Sequence, residues 1–197
     1  MNTALDLISG ISWSIVYVTA FILGIKHKTW YIPRLAICQN FSWEFWMVTK
    51  RIRAGSPFSI AFIIQLSWLV LDLGVLFTWL KYDRKDIKRV LKNAILLLLI
   101  FTMMYLFALH AERWEVSAFL INIIMSVAFI VREERGEDLY PSRVIAIAKM
   151  IGTLSATILN GIVFRNLVLL WLGGLCFIFD CSYLRMICKR QNELRVM

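Results

Sequence analysis

Proline is scarce in this chain, with only Pro33, Pro57 and Pro141. Each stands where an apolar block begins, a place that suits proline because its missing N–H would be unpaired in a first helical turn. Cysteine is also sparse. Cys38, Cys176, Cys181 and Cys188 lie within or at the ends of apolar blocks and form no C-x-x-C pair, which argues against disulfides and zinc. Acidic residues number 13 against 22 Lys and Arg. No D-D-x-x-D run occurs, and no two carboxylates stand four apart within an apolar block. Chemistry that ionises a diphosphate with Mg²⁺ needs such clusters, because a hard cation takes oxygen ligands. There is no low-complexity tract and no clear internal repeat.

Apolar residues are abundant: 60% of the 197 residues are hydrophobic and eight are Trp, with a mean hydropathy of +0.71. A soluble domain would be nearer half apolar. The excess falls in blocks of the length that crosses a bilayer as a helix, at 4–24, 32–49, 57–80, 92–110, 115–131, 144–164 and 166–187. Backbone groups in lipid must bond internally, so these blocks are expected to be helices. The expected fold is all-α, seven transmembrane helices in one domain over 1–197. The first block carries Asp6 in place of a basic start, so it reads as a span and not as a cleavable signal peptide.

The net charge of +9 follows topology. Segments near 25–34, 81–92, 132–149 and the C-terminus hold 17 of the 22 Lys and Arg, and the opposite side holds 5. Positive residues stay cytoplasmic, which places the N-terminus outside and the C-terminus inside. No basic face is left over for nucleic acid. "KYDRKDIKRVLK" reads as an amphipathic lead into the fourth helix, and "REERGEDLYP" as a solvated polar loop.

Ionisable residues inside membrane helices are functional by default. Asp6 is close enough to a helix end for interfacial exposure, whereas Glu44, Asp72 and Asp180 are deep. Asn40 and Glu44 share a face, with Trp43 beside it. Gln65, Trp68 and Asp72 form a stripe on the third helix, and Cys176, Asp180 and Tyr183 one on the seventh, with Trp171 above. Facing lipid would cost each carboxylate roughly 2.5 kcal/mol or more, so the stripes are expected to face the interior. No Lys or Arg is expected deep enough to neutralise them. An unpaired carboxyl in low dielectric favours its protonated form, which makes it a general acid. Asn, Gln and protonated acids also hold membrane helices together by hydrogen bonds, and Asn40 and Asp72 fit that role equally well. The aromatic residues, taken singly, fit packing.

"IPRLAICQNFSWEFW" and "LWLGGLCFIFDCSYL" resemble the small integral-membrane terpene cyclases of fungal meroterpenoid and indole-diterpene pathways and their bacterial relatives. The resemblance lies in an N-x-x-W-E motif at Asn40, Trp43 and Glu44, in the late Asp180, and in Pro33 and Cys38. "WLVLDLGVLFTWLKY" looks like that family's third helix. Arg34 departs from it, standing where an apolar residue is expected. The resemblance implies a lipophilic prenylated substrate whose terminal epoxide or alkene is protonated, followed by cationic ring closure and proton loss. Glu44 and Asp180 would be the catalytic acids. Asn40, Trp43, Trp68, Asp72, Trp171 and Tyr183 would contact substrate, with aromatic faces steadying the cation. No metal and no cofactor are implied, and the partners are the substrate and membrane lipid, not nucleic acid. A seven-helix carrier of the PQ-loop type has the same span count, but Pro-Gln pairs are absent. A non-enzymatic membrane scaffold is the other alternative.

Overall fold

A computed structural model describes residues 2–55, 59–83, 87–110, 114–137 and 140–196. Seven α-helices follow in order: α1 (Asn2–His27), α2 (Arg34–Arg53), α3 (Ile60–Tyr82), α4 (Ile87–His110), α5 (Trp114–Glu134), α6 (Arg143–Thr157) and α7 (Leu167–Val196). A π-helical segment, Ile158–Val163, continues α6. No strand occurs among the described residues. The chain is thus all-helical, as the apolar blocks require.

Five helices are long and apolar enough to cross a membrane, at Thr3–His27, Phe62–Tyr82, Glu115–Glu134, Arg143–Val163 and Leu167–Glu193. Among the described residues α2 is not one of these. It carries Gln39, Asn40 and Glu44 in its middle and Lys50, Arg51 and Arg53 in its last turn. Those three cations, expected in a loop, are helical. In α4 the apolar run Leu91–Met103 is shorter.

Helix ends are set by local chemistry. Pro33 is the N-cap of α2. Ser59 caps α3 by accepting from the Phe62 N–H at 3.2 Å, and Ser142, just after Pro141, caps α6 by accepting from Ile145. A serine there satisfies one of the first-turn N–H groups that have no helical partner. Pro57 lies outside the described residues. Gly55 and Gly136 follow α2 and α5 with φ of +61° and +64°, a left-handed conformation that glycine adopts without steric cost.

The chain divides into two compact units, residues 1–19 with 115–197 and residues 20–114. In the 20–114 unit α2 packs on both α3 and α4, around a core that includes Ile37, Cys38, Trp43, Val75 and Trp79. In the other unit α6 and its π-helical end pack on α7. A Cβ at Gly161 would lie 2.8 Å from Leu170 Cα, and one at Gly152 would meet the Trp13 ring. Both glycines permit close backbone approach.

Two charged networks differ from expectation. Asp83 is buried and not part of a solvated amphipathic segment. Its Oδ2 accepts from Trp79 Nε1 at 3.0 Å and Asn93 Nδ2 at 2.8 Å, with Arg34 at 3.6 Å. Arg34 also lies over the Trp30 ring. The cation at the start of α2 is therefore explained by the carboxylate at the end of α3. Likewise α5 runs on to Glu134, so "REERGEDLYP" is not all loop. Arg132 and Glu133 are buried, and Glu133 accepts from Arg190 at 2.9 Å.

Candidate active site

In the 20–114 unit the polar interior is built by α2 and α3. Glu44 is 3% exposed and Asp72 0% exposed. The two carboxyls lie close enough to interact electrostatically. Four residues of α2 place Asn40, half-buried, one turn from Glu44, while Trp43 is buried beside it. On α3, Gln65 and Asp72 are buried and Trp68 is half-buried. Glu44 Oε2, both oxygens of Asp72, Gln65 Oε1 and Gln39 Oε1 are buried without a hydrogen-bond partner. Unsatisfied buried acceptors are costly, and α2 and α3 carry these five. Among the described residues of this unit no Lys or Arg is buried.

Next to this interior is an aromatic cluster that sequence spacing did not single out. Phe41, Phe45 and Trp46 of α2 surround Phe101 of α4, with Phe45 and Trp46 at 5.2 and 5.1 Å from the Phe101 ring. The Trp46 Nε1–H donates to the Phe101 carbonyl at 3.3 Å. An open groove of about 520 Å³ on α3 is lined by Leu73, Leu76, Phe77, Leu80 and Lys81. It includes neither Glu44 nor Asp72.

Asp180 belongs to the other unit, and its surroundings overturn one expectation. A cation does lie deep: Lys149 of α6 is 1% exposed, and its Nζ is 2.5 Å from Asp180 Oδ1. Lys149 also donates to Asn122 Oδ1 at 3.0 Å and to Ser126 Oγ at 2.6 Å. The single Ser126 hydroxyl proton has two acceptors at 2.8 Å, Asp180 Oδ1 and the Asn122 carbonyl. An ammonium has three N–H donors, and each has an acceptor here. The indole of Trp13 lies under the same ammonium at 5.7 Å. Asp180 Oδ2 is buried and has no partner. By charge distribution alone Lys149 groups with the cytoplasmic cations of the preceding loop, yet it sits six residues inside α6.

The remaining predicted residues divide. Tyr183 is buried, its ring 4.9 Å from Phe129. Cys176, one turn before Asp180, is fully buried. Trp171 does not share this face: it is 76% exposed. Nine residues separate it from Asp180, two and a half turns of a 3.6-residue helix, which puts it on the opposite side of α7. Asp6 is exposed, as its position near a helix end suggests. Among the described residues no three His, Cys, Asp or Glu side chains converge as a metal site would.

The Pyr4-like transmembrane terpene cyclase family matches residues 1–133, a stretch that contains Asn40, Trp43, Glu44, Trp68 and Asp72 and ends before Lys149 and Asp180. Individual relatives agree. The Pyr4-family terpene cyclase mfmH of Annulohypoxylon moriforme is 27% identical over 45% of this chain and 35% of its own length. Terpene cyclase cle7 of Aspergillus versicolor is 28% identical over 59% of this chain and 47% of its own. Terpene cyclase andB of Emericella variicolor is 35% identical over 40% of this chain and 32% of its own. The matched stretches thus span less than half of these curated relatives. No solved structure matches the chain. With a family match over two-thirds of its length, laid on helices of membrane-spanning length, this multi-pass membrane protein belongs to the Pyr4-like transmembrane terpene cyclases.

Proposed function

We propose that the chain is a membrane-embedded cyclase that protonates the terminal epoxide or alkene of a linear prenyl chain carried on a head group, aromatic or otherwise. Glu44 is the proton donor. One observation carries this reading: a carboxyl 3% exposed, with Oε2 unpartnered, on a helix inside the family-matched stretch. Donation from a positioned acid lowers the barrier to forming the first cation. The cation then passes along the chain through ring closures, and proton loss ends the sequence, so that atoms balance as an isomerisation.

Asp180 is the second reacting carboxyl. Asn40, Trp43, Trp68, Asp72 and Tyr183 contact substrate, with indole faces steadying positive charge. Trp171, facing outward, is not carried into this set. The reaction as proposed requires no metal and no cofactor. Residues 1–197 act as one membrane domain, with the N-terminus outside and the C-terminus cytoplasmic, a reading the charge asymmetry supports. The test is conversion of prenylated substrates to cyclic product by membranes holding the wild-type chain, compared with Glu44→Gln. Loss of product in a normally inserted variant supports the donor role, and unchanged product rejects it.

A further inference from the structure

Lys149 has no part in the donor chemistry above, yet it is among the most completely buried side chains of the protein. A lone ammonium in such a place is prohibitively costly, so its surroundings must justify its charge. They do so with three acceptors for three N–H groups, namely Asn122 Oδ1, Ser126 Oγ and Asp180 Oδ1. Asn122 is itself held by donating from Nδ2 to Thr153 Oγ1 at 2.9 Å. The indole face of Trp13 adds a fourth favourable contact. Asp180 Oδ1 accepts from Lys149 and lies 2.8 Å from Ser126 Oγ, whereas Oδ2 is buried and receives nothing. Of the two oxygens, one is fully engaged and the other is free.

We propose that Lys149 is a positioning residue: it holds Asp180 as a carboxylate and makes it a proton acceptor in the reaction, with Oδ2 as the accepting atom. This rests on the cyclase reading and deepens it, because a cationic cyclisation that begins with a donor must also end with a base. In that last step a C–H bond beside the cationic carbon breaks. Its electron pair closes a carbon–carbon double bond, the positive charge is discharged, and the proton goes to Asp180 Oδ2. Lys149 keeps all three of its protons. Asp180 later releases the proton to water and Glu44 takes one up from water, so that both carboxyls return to their starting states. Ser126 and Asn122 hold the ammonium and carboxylate in register.

Infrared spectroscopy of the protein in membranes tests the assignment without reference to turnover. Subtracting the Asp180→Asn spectrum from wild type should reveal the stretch of a carboxylate. A carbonyl stretch of a protonated acid in that difference would overturn the proposal. In a Lys149→Met background the same subtraction should show the protonated acid, because a buried carboxylate left without its cation takes up a proton. Lys149→Met should also lose turnover by about 100-fold or more, the low end of what acid–base catalysis contributes. Lys149→Arg, which keeps the charge, should restore the carboxylate band and part of the turnover. If Lys149→Met does not insert, the wild-type difference and Lys149→Arg still decide. Full turnover in inserted Lys149→Met would overturn the positioning role. A wild-type protein that forms no cyclic product from prenylated substrates defeats the cyclase reading and with it the acceptor role, while the infrared bands independently support or overturn the charge assignment.

Discussion

Removing one partner of the Lys149–Asp180 pair should destabilise the protein far more than removing both. Lys149→Met removes the cation from a site where both side chains are 1% exposed, so Asp180 can stay buried only by taking up a proton. Breaking such a pair typically costs about 3–5 kcal/mol, here the lost ion pair together with the enforced protonation. In the double variant Lys149→Met/Asp180→Leu no charge remains. Asn122 Oδ1 then loses its donor, while Ser126 can still donate to the Asn122 carbonyl, 2.8 Å away. One orphaned acceptor costs about 1–3 kcal/mol, so the double variant should be more stable than Lys149→Met by roughly 2 kcal/mol. The coupling between the two sites is then several kcal/mol. Neutral hydrogen bonds between membrane helices average only about 0.6 kcal/mol, which makes the coupling a direct sign of ionisation. Reversible unfolding in mixed micelles, followed by tryptophan fluorescence, measures it for wild type, Lys149→Met, Asp180→Leu and the double variant. A coupling below about 1 kcal/mol, or a double variant no more stable than Lys149→Met, would refute the ion-pair reasoning.

Other expectations are simpler. Reporter fusions after Arg195 should register the cytoplasm and fusions at Arg53 the opposite side; the same side at both positions would remove the seven-crossing topology. Turnover should survive exhaustive EDTA, and restoration of lost activity by Mg²⁺ would instead mark diphosphate ionisation. Gly161→Ala should destabilise by about 1–3 kcal/mol, the usual cost of overpacking, because its Cβ would meet the Leu170 backbone at 2.8 Å. A silent substitution in the same micelle assay would contradict the close approach of the π-helical segment to α7.

The helices were legible because lipid leaves the backbone few options, so each apolar block became a helix. The polar stripe of α3 was legible too. A period of 3.6 puts Gln65 and Asp72 on one side, and both are buried. Proximity between helices was not legible. Nothing in the spacing of α2 says that it packs on α3, because that depends on the crossing of two helices and not on either alone. Lys149 was hidden by its position near a cation-rich loop, where a charge-counting rule treats every lysine alike. Its burial follows from α6 beginning at Arg143 and turning that face toward Ser126 and Asp180. Trp171 shows the opposite failure: a residue placed by proximity along the chain lies on the wrong face once the helical phase is counted. Arg34, a departure from the family pattern in sequence, became intelligible only when Asp83 was found buried at the end of α3. The π-helical segment at Ile158–Val163 had no sequence signal beyond Gly161.

The central claim is that Glu44 starts the reaction by giving up a proton. Glu44→Gln keeps the size of the side chain and its capacity to bond across helices, but it has no acidic proton to deliver. Cyclic product formed from a prenylated substrate in membranes, normalised to inserted protein, should fall by about 100-fold or more. If Glu44→Gln instead retains wild-type turnover, Glu44 is a packing contact and the proton comes from elsewhere.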